Sequence, residues 1–203
     1  MSRRLLVILA LLALAFAVLT AVAVRQGVLS PRHETATVGG PFRMVDQTGA
    51  KVDQSLLKGK WSAVFFGFTN CPDACPTTLF SLGQAEKLLG PKADDFQTVF
   101  VSVDPTRDTP KQLAAFLTTD AFPRRVVGLT GTPDQVDAVA RAYHVFYQKA
   151  GAGAAYSVDH STFTYLMNPK GQFACVIPYN DPPAAIAAKV QAAMAKGANA
   201  ESC

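Results

Sequence analysis

Apolar residues divide this 203-residue chain into two unequal parts. Residues 5–24 are apolar at every position except Thr20, too continuous a run to be one face of a surface helix. As a helix rising about 1.5 Å per residue it would span roughly 30 Å, the thickness of a bilayer's hydrocarbon core. Arg3 and Arg4 precede the run and Arg25 closes it. A short basic start followed by a large domain places the N-terminus in the cytoplasm and the domain outside. The competing reading is a cleaved signal, because Ala21-Val22-Ala23 resembles a processing site. Against it, the run exceeds the usual signal core of about 7–15 residues. No cysteine closes the run, so a lipoprotein anchor is not suggested. The next stretch carries Pro, Gly, Ser and Thr without periodicity and reads as a tether, with His33 a solvated linker residue. The expected organisation is a transmembrane anchor (or uncleaved signal) over 1–25, a linker over 26–40, a folded domain over 41–196 and a frayed tail over 197–203.

Within the domain the pattern alternates between short apolar runs and helical periodicity. Residues 42–45 and 51–53 flank Asp46-Gln47-Thr48-Gly49, which predicts a small hairpin. Residues 61–68 are apolar and aromatic almost throughout, as in a strand covered on both faces. Leu79, Leu82, Ala85 and Leu89 share one side of a helix starting at Pro76 and ending at Gly90-Pro91. A second buried strand covers 98–103, and Thr109-Pro110 starts a helix to Leu117. Residues 126–129 form a short strand. Thr132-Pro133 opens another helix, whose apolar face is Val136, Val139, Ala140 and Tyr143. His144, at the end of that helix, is expected to satisfy a terminal carbonyl. A small-residue loop, 151–155, precedes a predicted hairpin of 162–167 and 173–177, and 184–195 closes the domain as a helix. Strands alternating with helices, then a hairpin and a last helix, predict an α/β domain with a mixed sheet in a thioredoxin-like order.

Composition narrows the chemistry. The net charge of +4 is mild and no basic cluster with interleaved aromatics occurs, so nucleic acid is not a partner. Four cysteines in an exported domain would ordinarily suggest disulfides. Cys71 and Cys75 lie four residues apart in a strand-to-helix turn, each followed by proline. Pro76 disfavours helical backbone at Cys75, so Cys75 is expected at the cap, where the helix dipole favours its thiolate. A structural disulfide there would close a very small loop and restrain little of the unfolded chain. Cys175, in a strand, is expected to be a buried small hydrophobe, and Cys203 carries no assignment. In a thioredoxin-like fold, the loop holding Tyr156-Ser157-Val158-Asp159-His160-Ser161 lies across from the cysteine turn. His160 then comes within reach of both sulfurs. Two thiolates and one imidazole fall short of the four ligands of structural zinc, whereas thiolates select Cu(I). With neutral imidazole the net charge is −1 for Cu(I) and zero for Cu(II), and both oxidation states remain conceivable.

Three blocks resemble the signatures of the Sco/SenC family. They are residues 67–76 (Gly-Phe-Thr-Asn-Cys-Pro-Asp-Ala-Cys-Pro), 102–110 (Ser-Val-Asp-Pro-Thr-Arg-Asp-Thr-Pro) and 158–161 (Val-Asp-His-Ser), the last extended by 165–171. The resemblance runs from about Gly39 to about Ile186. It implies a membrane-tethered, thioredoxin-like copper protein that helps build the dinuclear copper centre of cytochrome c oxidase. It implies one copper per chain, with Cys71, Cys75 and His160 as ligands, and it leaves Asp104 in a supporting role. Expected partners are the oxidase's copper-bearing subunit and other copper chaperones or thioredoxin-like reductases. The expected location is the bacterial inner membrane, with a single pass and the domain in the periplasm. On this reading the chain is a chaperone and not an enzyme. The alternative is a membrane-anchored thiol–disulfide oxidoreductase that reduces target cysteines before metal loading, because both chemistries use the thiolate. A peroxiredoxin-like peroxidase is weaker, since no arginine stands near Thr69 and the cysteine turn in sequence.

Overall fold

The computed structural model of the chain describes residues 3–25, 38–153 and 155–203. The tether expected over 26–40 lies mostly outside the described residues, as does His33. Two compact units divide between Ala36 and Thr37. In the first, α1 (Arg3–Arg25) contains a segment, Arg3–Val22, long and apolar enough to cross a membrane.

The second unit is a mixed sheet flanked by helices. Its elements are β1 (Arg43–Asp46), β2 (Lys51–Asp53), β3 (Trp61–Gly67), α2 (Ala74–Leu89), β4 (Phe96–Ser102), α3 (Pro110–Leu117), β5 (Val126–Thr130) and α4 (Pro133–Ala142). They continue with β6 (Tyr147–Ala150), β7 (Ser157–His160), β8 (Thr164–Met167), β9 (Phe173–Ile177) and α5 (Pro183–Lys196). Seven strands pair in the order β2-β1-β5-β4-β3-β8-β9. The central strands β3, β4 and β5 run parallel, while β8 joins β3 antiparallel and the hairpin β1–β2 extends the sheet through β5. Every residue of β3 and β4 is buried, including Ser62, Gln97, Thr98 and Ser102, as befits largely apolar strands covered on both faces. The predicted helix starts at Thr109-Pro110 and Thr132-Pro133 hold. Thr109 Oγ1 accepts from Gln112 N–H (3.3 Å), and Thr132 with Gln135 forms a reciprocal capping box that closes the free N–H groups of α4. His144 satisfies the end of α4 through its backbone, whose N–H donates to Arg141 O (3.1 Å).

Two expectations need correction. The stretch before β8 is not a plain loop, for β6 and β7 form a separate antiparallel pair in which Tyr147 stands opposite His160. Tyr-Gln-Lys-Ala and Ser-Val-Asp-His lack a run of β-forming residues, and only Val158 is buried, so backbone pairing defines these strands. The second correction concerns the C-terminus. Cys175 is only partly buried and forms a disulfide with Cys203, their Cα atoms 5.8 Å apart. The tail is therefore not frayed. Ala200 is buried against α5, and its carbonyl accepts from the buried Asn168 Nδ2 (3.4 Å). The same Asn168 closes the β8–β9 turn by accepting from the Lys170 and Gln172 N–H groups, so the tail completes a polar side chain that burial would otherwise leave short of a partner.

The disulfide spans 28 residues, for which loop entropy gives about 3–4 kcal/mol. Cys203→Ser should lower the melting temperature by roughly 5–10 °C under non-reducing conditions. Differential scanning calorimetry checks this. Unchanged melting would show that the bond does not restrain the unfolded chain.

Candidate metal centre

The centre begins where β3 runs out of neighbours. Gly67 ends the strand, and a Cβ on it would stand 2.6 Å from Cys75 Sγ and 2.9 Å from the Phe100 ring. Only glycine lets the strand pass this close to the sulfur. The chain then turns through Phe68–Asp73, with Cys71 N–H donating to Phe68 O (3.2 Å), and enters α2. The helix starts two residues earlier than the proline suggests, at Ala74, so Cys75 is its second residue and Pro76 its third. Proline is tolerated there because first-turn N–H groups have no intrahelical acceptor. Asp73, the capping residue, makes no side-chain bond to the free N–H groups of the first turn. Cys71 sulfur does so instead, accepting from Cys75 N–H at 3.3 Å.

This arrangement puts the acidic thiol at Cys71 and not at Cys75, where the helix dipole is expected to favour a thiolate. Cys71, half-buried, is held down to about 5. The Cys75 side chain donating to its sulfur is the main cause, aided by the Asp73 and Cys75 N–H groups and by His160. Cys75, fully buried, is pushed up by that same contact, by desolvation, and by the charges of Cys71 and Asp108. Cys71 is thus the reactive thiolate, and Cys75 the proton-bearing partner behind it.

His160, at the end of β7, completes the group. Its Nε2 lies 3.6 Å from Cys75 Sγ, and its Nδ1 lies 2.9 Å from Ser161 O. A carbonyl only accepts, so Nδ1 carries a proton, and Nε2 is the nitrogen turned toward the sulfurs. The ring meets Phe68 edge-on at 5.8 Å and Phe65 at 6.1 Å, which limits its rotation. The donor atoms of Cys71, Cys75 and His160 all lie within 4.8 Å of one another, the one such cluster among the described residues. Phe68, Cys71, Pro72, Asp73 and His160 line an open cleft of about 350 Å³ above them. A soft three-donor set with an open side suits a metal that is passed on.

Two carboxylates stand around this centre. Asp104, buried, accepts from Tyr156 O–H (2.5 Å) and from Arg107 Nε, so its oxygens are engaged in bonds to neighbouring side chains. Asp108 was not legible as a site residue. It is fully buried and accepts from Thr69 N–H (3.0 Å), Thr69 Oγ1 (2.6 Å) and Ser102 Oγ (2.6 Å), which ties the cysteine turn to β4. Desolvation raises its pKa despite these bonds. A lone Asp ahead of a Thr-Pro helix start looks like one more capping residue, and no local pattern separates the two roles.

A family model described as SCO1/SenC matches residues 30–195. Protein SCO1 homolog 1, mitochondrial, of Arabidopsis thaliana is 40% identical over 154 residues, covering 75% of this chain and 45% of that protein. The chain thus spans less than half the length of that relative. Copper-bound Sco1 of yeast superposes with a TM-score of 0.74 at 36% identity, over 81% of this chain and 92% of the other. BsSco, described as a member of the Sco family of cytochrome c oxidase assembly proteins in which a disulfide switch was identified, gives a TM-score of 0.58 at 28% identity, over 77% and 92%.

Alkylation against pH tests the thiol order. Cys71 should react at a nearly constant rate from pH 6 to 8, slowing as pH falls through about 5, where the thiolate takes up a proton. Cys75→Ala removes the main donor and should move that midpoint upward. A Cys71 midpoint near the ordinary thiol value of about 8.5 in the unaltered chain would contradict the assignment.

Proposed function

This chain belongs to the SCO1/SenC family, and from that membership we propose that it is a copper metallochaperone. It binds one copper through Cys71, Cys75 and His160 and delivers it to, or helps mature, the dinuclear copper centre of cytochrome c oxidase. The observation that carries this reading is the convergence of three donor atoms, two soft and one borderline, within 4.8 Å. The copper held by yeast Sco1 and the oxidase-assembly description of BsSco lend it support. Transfer proceeds by ligand exchange. An acceptor sulfur or imidazole enters on the open side of the cleft, and the chaperone's donors leave in turn. The low charge of the loaded site, −1 with Cu(I) or zero with Cu(II), keeps both binding and release accessible. In this proposal residues 1–25 anchor the chain in the bacterial inner membrane and 26–40 tether a periplasmic domain, 41–196, closed by 197–203. Its partners are the copper-bearing oxidase subunit and, for loading or reduction, other chaperones or thioredoxin-like reductases.

The acidity of Cys71 favours a second reading, a thiol–disulfide oxidoreductase acting before metal loading. Cys71 thiolate would attack a target disulfide, releasing one target thiolate and forming a mixed disulfide. Cys75, deprotonated as it attacks, would displace the second, leaving Cys71–Cys75 oxidised and the target reduced by two electrons. The disulfide switch described for BsSco is consistent with such a cycle. Copper binding needs His160, whereas disulfide exchange does not.

Metal analysis of the reduced full chain in detergent separates the readings. One equivalent of copper is expected, lost on Cys71→Ala or Cys75→Ala and no longer tightly held on His160→Ala, which still forms the Cys71–Cys75 disulfide. Full zinc occupancy that excludes copper, or undiminished Cu(I) binding by His160→Ala, would overturn the three-donor site.

A further inference from the structure

His160 rides on a hairpin joined to the domain by few contacts, one of them the Tyr147 O–H of β6 donating to Asp137 of α4. Two paired strands alone are marginal in water, and β6–β7 is not part of the seven-stranded sheet. Val158 is the one residue of the two strands that is buried, and the described residues from Gly151 to Ala155 are glycine and alanine. Tyr156, directly before β7, is the first large side chain after that stretch. Its contacts converge on the loop between β4 and α3.

Four contacts meet at Tyr156. Its O–H donates to Asp104 Oδ1 (2.5 Å), and its carbonyl accepts from Arg107 Nη1 (2.9 Å). The Arg107 guanidinium lies 3.6 Å from the ring centroid, and Lys149 of β6 places its Nζ at the same distance from that ring. Arg107 Nε donates back to Asp104, which closes a ring of interactions through side chain and backbone together. The loop end of this ring is stiff. Asp104 N–H donates to Ser102 Oγ (3.0 Å), and Arg107 and Asp108 N–H groups both donate to Asp104 O. Arg107 also stands 5.8 Å from the Phe68 ring, the ring whose face or edge meets His160. One arginine therefore touches both the segment that carries the histidine strand and the aromatic that borders its imidazole.

We infer that Arg107 and Tyr156 are positioning residues for the metal centre, clamping the β6–β7 hairpin so that His160 Nε2 is held against the two sulfurs. The inference rests on His160 being a metal ligand, as proposed above. The clamp touches neither sulfur, so it acts on the third donor and leaves the thiol pair alone. A planar guanidinium is needed, since it stacks on the tyrosine ring while bonding a carboxylate and a carbonyl, which an ammonium cannot do together.

Competition of the full chain in detergent against a chromophoric Cu(I) chelator tests the clamp. Arg107→Lys and Tyr156→Ala should weaken Cu(I) binding by about 10–100-fold, the range typical of residues that orient a ligand. Tyr156→Phe, which keeps the ring and loses only the bond to Asp104, should retain most of the affinity and serves as the conservative rescue. In a His160→Ala background the same substitutions should change affinity less than about twofold, because the hairpin then carries no ligand. Formation of the Cys71–Cys75 disulfide should match the unaltered chain in all of them, since the clamp touches neither sulfur. Unaltered affinity in Arg107→Lys and Tyr156→Ala, alongside a weakened His160→Ala, would overturn the clamp. Equal losses in both backgrounds would overturn it as well, since the effect would not pass through the histidine. Full affinity in His160→Ala alone would overturn the ligand assignment and the clamp with it.

Discussion

The centre depends on one contact, the sulfur of Cys71 seated on the first turn of α2. A helix start leaves N–H groups without acceptors, and here a cysteine outside the helix takes one of them from Cys75. That contact brings the two sulfurs together and aims the positive end of the helix at Cys71. The Cys75 side chain, donating to the sulfur so placed, divides the pair into one acidic thiol and one that keeps its proton. The spacing of four residues with a helix beginning between the cysteines is what makes this possible. Two cysteines inside one continuous helix could not have one cap the other's turn. Gly67 completes the constraint by letting β3 pass beside the buried sulfur.

Around this fixed pair the third donor is held by other means. His160 sits on a hairpin outside the main sheet, tied down through Tyr156, Arg107 and Asp104 and bordered by Phe65 and Phe68. A stiff thiol pair and a separately held imidazole suit a site that must both grip a metal and give it up. The domain keeps its other two cysteines apart from this chemistry. Cys175 and Cys203 pack with the cluster around Trp61 and α5, whereas Cys71 and Cys75 pack with the cluster around Phe65, Phe66 and Phe68. One pair fastens the tail and the other remains free as thiols.

Much of this was legible in the sequence, for identifiable reasons. The all-buried strands β3 and β4 announce themselves as largely apolar, β-branched and aromatic runs, and Thr109-Pro110 and Thr132-Pro133 mark helix starts through local capping chemistry. Cys71, Cys75 and His160 could be singled out together because a thioredoxin-like order brings their segments face to face. What stayed hidden was set by distant partners. The β6–β7 hairpin has no apolar pattern of its own, the Cys175–Cys203 bond joins residues 28 apart, and Asp108 earns its place only through Thr69 and Ser102. The acidity of Cys71 was not legible because Pro76 suggests a later helix start, with Cys75 at the cap and the dipole on its sulfur.

The central claim is that two sulfurs and one imidazole of this chain hold a single copper. X-ray absorption of the Cu(I)-loaded full chain measures those donors directly. The account predicts one nitrogen and two sulfur scatterers, with the nitrogen signal lost in His160→Ala loaded at excess Cu(I). A copper surrounded by sulfur alone, or a nitrogen signal that survives His160→Ala, would contradict it.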